Sequence, residues 1–121
     1  MKSALETLQR GKQIPNWMVK DHRGEKQSLW DYRQKSHLVL LYDPQSQPAT
    51  VKRWLAAIEA DKKQWVWLNV TWLVVKEAPK GLAPGVYAID RYGLFINTYP
   101  VTNWGFDDLE KEFLYYEAAH C

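Results

Sequence analysis

Leu38-Val39-Leu40-Leu41-Tyr42, followed by Asp43-Pro44-Gln45-Ser46-Gln47-Pro48, is the stretch that decides the fold of this chain. An unbroken apolar run of strand length, without polar alternation, is what a strand buried on both faces requires. The two prolines make the following segment a loop, since neither can donate a ladder hydrogen bond. The period then changes. Val51, Trp54, Leu55 and Ile58 fall at i, i+3, i+4 and i+7, one stripe of a helix that starts near Ala49 and ends near Asp61. Pro48 suits the first turn, where a missing N–H costs nothing.

Beyond the helix, residues 65–70 read as the next strand, with residues 72–75 extending or branching from it. Buried strand, crossover helix and buried strand make a βαβ unit, for which the right-handed connection is expected. Toward the N-terminus, Ser3-x-x-Glu6 reads as a capping box opening a short helix, with Leu5 and Leu8 on one side and Gly11 as its stop. Ile14-Pro15-Asn16 turns the chain into Trp17-Met18-Val19-Lys20. Asp21-His22-Arg23-Gly24 is a turn and residues 25–29 return, which predicts a β-hairpin. Toward the C-terminus, residues 76–85 hold Pro79, Gly81, Pro84 and Gly85 and read as turns. Val86-Tyr87-Ala88-Ile89 and residues 94–99 are two strands joined by Asp90-Arg91-Tyr92-Gly93. Asp107-x-x-Glu110 then caps a last helix that buries Leu109, Phe113 and Tyr116. The class is α/β, with a central mixed sheet flanked by helices in one domain over residues 1–121.

The bulk properties exclude several functions. Among 121 residues, 16 basic and 14 acidic side chains are interleaved, so no basic stripe points to nucleic acid. The longest apolar stretch, residues 65–75, is broken by Asn69 and Thr71 and is too short for a membrane span of about 20 residues. The opening Met1-Lys2-Ser3-Ala4-Leu5-Glu6 has no apolar signal core, and a lone cysteine fits a reducing compartment, so a cytoplasmic location is expected. Seven Trp, seven Tyr and three Phe are enough to fill a core and to leave rings over for a contact surface.

The ordered set of motifs resembles the thioredoxin-like superfamily, and within it the peroxiredoxins (alkyl hydroperoxide reductase and thiol-specific antioxidant family) and related thiol reductases. Gly11-x-x-Ile14-Pro15-x-Trp17, with Asp21-x-x-Gly24 and Leu29-x-Asp31-Tyr32, is similar to the opening hairpin of that family. Residues 38–42 look like the strand that leads to its active-site loop. Pro84, ahead of Val86-Tyr87-Ala88-Ile89-Asp90-Arg91-x-Gly93, resembles its cis-proline and following strand pair. The short span between Val70 and Pro84 implies that the second crossover helix of the fold is reduced.

The departures bear on chemistry. Where the reductases carry Cys-x-x-Cys, this sequence has Gln47-Pro48-Ala49-Thr50, and residues 43–51 contain no cysteine in any register. The thiolate is the nucleophile of such sites. Ser46 and Thr50 offer only hydroxyls, far weaker without an adjacent base. The one cysteine is Cys121. His22, His37 and His120 have no ligand-pair spacing, and no phosphate loop or nucleophile elbow is present, so neither metal nor cofactor is expected. Asp107 and Asp108 suit a helix start, and Glu110 and Glu112 a solvated face.

The expected function is therefore a non-catalytic binding or scaffold module. Its groove would be the degenerate active-site loop (Asp43, Ser46, Gln47, Pro48, Ala49, Thr50) facing Pro84, with Ser46 or Thr50 capping the helix and Trp17, Tyr42, Trp72 and Tyr99 as rim. Its partner would be a protein segment or a small ligand. Two alternatives stand beside it: a thiol-dependent oxidoreductase using Cys121 or a partner's thiol, and a structural homo-oligomer subunit using surplus Trp. In peroxidase and disulfide-reductase assays, wild type and Cys121→Ala are expected to be equally inactive. Turnover that disappears in the variant would assign the chemistry to that thiol.

Overall fold

A computed structural model describes residues 9–101 and 105–119. The elements run β1 (Met18–Asp21), β2 (Lys26–Ser28), β3 (His37–Tyr42), α1 (Pro48–Ala60), α2 (Lys62–Leu68), β4 (Val70–Glu77), β5 (Gly85–Ile89), β6 (Phe95–Tyr99) and α3 (Phe106–Ala119). The strands form one six-stranded sheet in the order β2-β1-β4-β3-β5-β6. β3 is parallel to β4, with His37 opposite Val70 and Tyr42 opposite Val75. It is antiparallel to β5, with Leu38 opposite Ile89 and Tyr42 opposite Gly85. The apolar run is thus paired on both edges and covered on both faces.

Alternation along β3 divides the core in two. Leu38 and Leu40 lie with Leu73, Val75, Tyr87 and Ile89 on one face, covered by Ile14, Trp17, Val19, Leu29 and Leu82. Val39 and Leu41 lie with Val74, Val86, Ala88 and Ile96 on the other, under Trp65, Leu68, Leu109 and Phe113. The α1 stripe Val51, Trp54, Leu55 and Ile58 packs there too, half-buried. Among the described residues, α1, α2 and α3 all serve this second face. The first is covered by irregular chain, because residues 78–84 pass from β4 to β5 without a helix. This is the shortened second crossover expected from the spacing of Val70 and Pro84.

Both hairpins use one device. Asp21 Oδ1 accepts the amides of Arg23 (2.9 Å) and Glu25 (3.0 Å). Asp90 Oδ1 accepts those of Tyr92 (2.8 Å) and Leu94 (2.9 Å). Each turn closes on a glycine, Gly24 or Gly93, at φ 83°, where a side chain is strained. Asp-x-x-Gly is therefore a turn whose buried carboxylate replaces water for two amides. The Asp90 turn also holds the last helix: Tyr116 donates to Asp90 Oδ2 at 2.6 Å. Beside it the fully buried His37 accepts the Arg91 amide at Nδ1 (3.0 Å) and rests 5.0 Å from the Phe113 ring.

Two expectations are corrected. Residues 65–70 are not a strand. Lys62–Leu68 is helical, burying Trp65 and Leu68 at i and i+3 while Val66 and Trp67 face outward, and β4 begins only at Val70. Asn69 ends the helix in the left-handed conformation at φ 58°, which Asn tolerates, and its Nδ2 donates to Lys35 O at 2.9 Å. The last helix starts at Phe106, so Asp107 and Asp108 occupy its first turn rather than its cap. Phe106 thereby joins Trp65 and Trp72 in mutual edge-to-face contacts at 5.2–5.5 Å between ring centres. The proposed helix over Ser3 and Glu6 lies outside the described residues.

Tyr116→Phe removes the hydroxyl that donates from the last helix to the buried Asp90 carboxylate. It is expected to lower the unfolding free energy by about 1–3 kcal/mol. Urea denaturation measures this, and an unchanged midpoint would contradict the role given to the pair.

Candidate functional site

β3 runs out at Tyr42, and the chain must then cross from the sheet to α1. Asp43 shapes the crossing: its Oδ1 accepts the Gln45 amide (3.1 Å), and its carbonyl accepts from the Ser46 amide (3.2 Å) and from Ser46 Oγ (2.9 Å). Gln47, in extended conformation, is the N-cap of α1, and Pro48 is its first residue. No side chain caps the helix. Ser46 Oγ is spent on Asp43 and Thr50 Oγ1 accepts from Arg53 Nη2 at 3.2 Å, so neither hydroxyl takes the expected capping role.

Beside this crossing lies a cavity of about 430 Å³. Asp43, Pro44, Ser46 and Pro48 border it from the loop; Val51, Lys52 and Leu55 from α1; Val74, Val75 and Lys76 from the end of β4; and His22 from the first hairpin turn. The apolar floor is a consequence of the βαβ unit. α1 packs Val51 and Leu55 against the core cluster that holds Val74. His22 is held in place by its amide, which donates to Val74 O at 2.8 Å, and by the Asp21 turn around it. No hydrogen bond joins His22 to Ser46, whose proton points to the Asp43 carbonyl instead.

The other predicted site residues do not converge here. Pro84 stands at the same end of the sheet as Asp43, since Gly85 pairs with Tyr42. But β3 separates β5 from β4, so Pro84 is on the far side of the strand from the cavity and does not border it. It is exposed, and its peptide bond is trans, the ordinary isomer even before proline. Gln47, Ala49 and Thr50 do not border the cavity either. The four aromatic residues divide between the two faces of the sheet. Trp17 is buried in the first core and Tyr42 packs against it, while Trp72 and Tyr99 pack against the second. Tyr99 donates to Glu112 Oε2 at 3.5 Å, and Glu112 also pairs with Arg10 at 3.1 Å, so Glu112 is not a solvated residue. Glu110 is likewise not an isolated surface acid: burial, then the neighbouring Asp61 carboxyl, pushes its pKa up. Cys121 lies outside the described residues.

No protein-family model matches the chain, and a search of curated proteins finds no sequence relative. Among solved structures, the chain is similar to a candidate protein disulfide isomerase from Bacteroides thetaiotaomicron, solved in solution. The TM-score is 0.57 at 12% identity, over 88% of each chain. The fold is thioredoxin-like. A thiol peroxidase from Chromobacterium violaceum also matches, with TM-score 0.49 and 12% identity over 92% of this chain and 89% of that one. The thioredoxin-like frame here carries a thiol-free junction and a cavity bordered by three separate parts of the chain.

His22 and Lys76 were missed as cavity residues because they are distant in sequence from residues 43–55, and Lys76 lies in no motif. The signal that reaches His22 is the Asp-x-x-Gly turn. Among the described residues, no group of three or more His, Cys, Asp or Glu is placed to hold a metal ion, and no helix is long and apolar enough to cross a membrane.

Burial by itself pushes the Asp21 carboxyl up. Donation from the Arg23 and Gln27 side chains and from the Glu25 and Arg23 amides outweighs it and holds the group below the usual carboxylate range. The unfolded chain therefore binds this proton more readily than the folded one. The stabilisation is fully present above the ordinary carboxylate pKa and is lost as pH falls through the depressed folded value. Asp21→Asn is expected to cost about 1–3 kcal/mol at neutral pH. The gap from wild type should close in acid, as read by urea denaturation across pH. A gap constant down to acid would contradict the assignment.

Proposed function

We propose that this chain is a non-catalytic binding module of thioredoxin-like fold, and that its site is the cavity between residues 43–48, the first turns of α1 and the end of β4. One observation carries the reading. The junction where the strand meets the helix presents prolines, an amide and engaged hydroxyls but no thiol, and it opens beside an apolar-floored cavity of about 430 Å³. That volume falls in the range of about 300–1,000 Å³ typical of ligand sites, which pair apolar walls with a few polar groups. Val51, Leu55 and Val74 supply the walls; Asp43, Ser46, Lys52, Lys76 and His22 supply the polar groups.

A hydrolytic use of Ser46 is not favoured, because a serine nucleophile needs a base within hydrogen-bond reach and Ser46 Oγ bonds the Asp43 carbonyl. Binding needs no such base. The occupant would be a small ligand or an apolar side chain of a protein segment.

Titration with the neutral probe n-hexanol, followed by amide NMR, is expected to shift Val51, Lys52, Leu55 and the amides of residues 74–76. Val51→Trp, which places an indole in the cavity from a half-buried helix position, should abolish these shifts while leaving the spectrum folded. Shifts scattered over the surface, or unaffected by the filled cavity, would refute the site.

A further inference from the structure

We infer that the ligand of this cavity is a small organic acid, with an apolar body against Val51, Leu55 and Val74 and a carboxylate at the mouth between Lys52 and Lys76. The inference rests on the cavity being a binding site and adds the charge and chemical class of its occupant.

The argument is one of charge complementarity. Four of the described cations are matched by a carboxylate on this surface. Arg10 pairs with Glu112 at 3.1 Å, Arg23 with Asp21 and Glu25 at 3.1 Å, Lys20 with Glu77 at 3.5 Å and Lys62 with Glu59 at 3.7 Å. Lys52 and Lys76 border one cavity and, among the described residues, neither has a carboxylate within 4.0 Å. They come from different elements, α1 and β4, so their convergence is a product of the fold and not of a basic run in the sequence. The one acid of the lining, Asp43, has Oδ1 turned to the Gln45 amide at 3.1 Å, where it shapes the loop. Lys52 and Lys76 thus border the opening together with a single carboxylate, Asp43, one oxygen of which accepts the Gln45 amide. Like charges gathered at a concave, partly apolar opening raise the local potential and favour an anion over a neutral molecule of equal size.

The apolar floor sets the rest of the chemistry. A fully hydrated inorganic anion would leave Val51, Leu55 and Val74 uncovered. An acid with a short aliphatic or aromatic body covers them, at about 0.8 kcal/mol for each buried methylene group. Phosphate or sulfate alone is therefore a poor occupant, and a purely apolar molecule leaves the lysines unanswered.

The test compares hexanoate with hexanamide, its neutral analogue of equal length, by amide NMR titration of the full chain. Hexanoate is expected to bind roughly fivefold more tightly, the size of two solvent-exposed ion pairs. The preference should shrink as sodium chloride screens the mouth. Lys52→Gln with Lys76→Gln should bring the ratio of the two affinities to about one, and Lys52→Glu with Lys76→Glu should reverse it. Equal affinities in the wild type, or a preference that survives both double variants, would overturn the anionic ligand while leaving the cavity as a site. Absence of shifts at Val51, Leu55 and Val74 with either probe would overturn the site itself. Inorganic phosphate producing the same shifts as hexanoate would show that the apolar body plays no part, and would overturn the organic acid.

Discussion

A strand buried on both faces and paired on both edges has no freedom of register, and β3 is that strand. Sliding it by one residue would exchange Leu38 and Leu40 with Val39 and Leu41, sending each set to the wrong half of the core. Its parallel partner β4 requires a crossover, which is α1 with α2. Its antiparallel partner β5 requires only the loop at 78–84. The position of the cavity follows from the same constraint. It lies where β3 ends, because the chain must there leave the sheet, reverse through Asp43 and Gln47, and begin a helix that returns over β4.

That junction, residues 43–48, contains no cysteine, and its loop is closed by its own hydrogen bonds. The hydroxyls of Ser46 and Thr50 are engaged within the loop and the first helical turn. What distinguishes the site is its distribution over the chain. Turn 21–24, loop 43–48, helix α1 and the end of β4 each contribute, and only the folded sheet brings them together. The groove toward Pro84 does not form part of it, because β3 stands between.

Much of the fold was legible from local chemistry. The uninterrupted run at 38–42, the stripe Val51, Trp54, Leu55, Ile58 and the two Asp-x-x-Gly turns each specify one conformation, and each forms as read. The segment 65–70 was misread for a physical reason: a short apolar run with tryptophan and valine satisfies a buried strand and a short amphipathic helix equally well. Asn69 decides between them, because its left-handed backbone ends a helix at a position that a strand cannot accept. The site was legible only in part. Asp43, Ser46 and Pro48 follow from the loop, but His22 and Lys76 are brought in by sheet pairing. Trp17, Tyr42, Trp72 and Tyr99 were grouped by type, whereas strand alternation and the layer order place them on opposite faces of the sheet.

Native-state hydrogen exchange of the amides of β3 tests this account at its root. If the doubly buried strand is the spine, the amides of residues 38–42 exchange only through global unfolding, with a denaturant dependence equal to that of the whole protein. The short edge strand β2 then opens locally and far faster. Exchange of the β3 amides at the rate of β2, insensitive to denaturant, would contradict it.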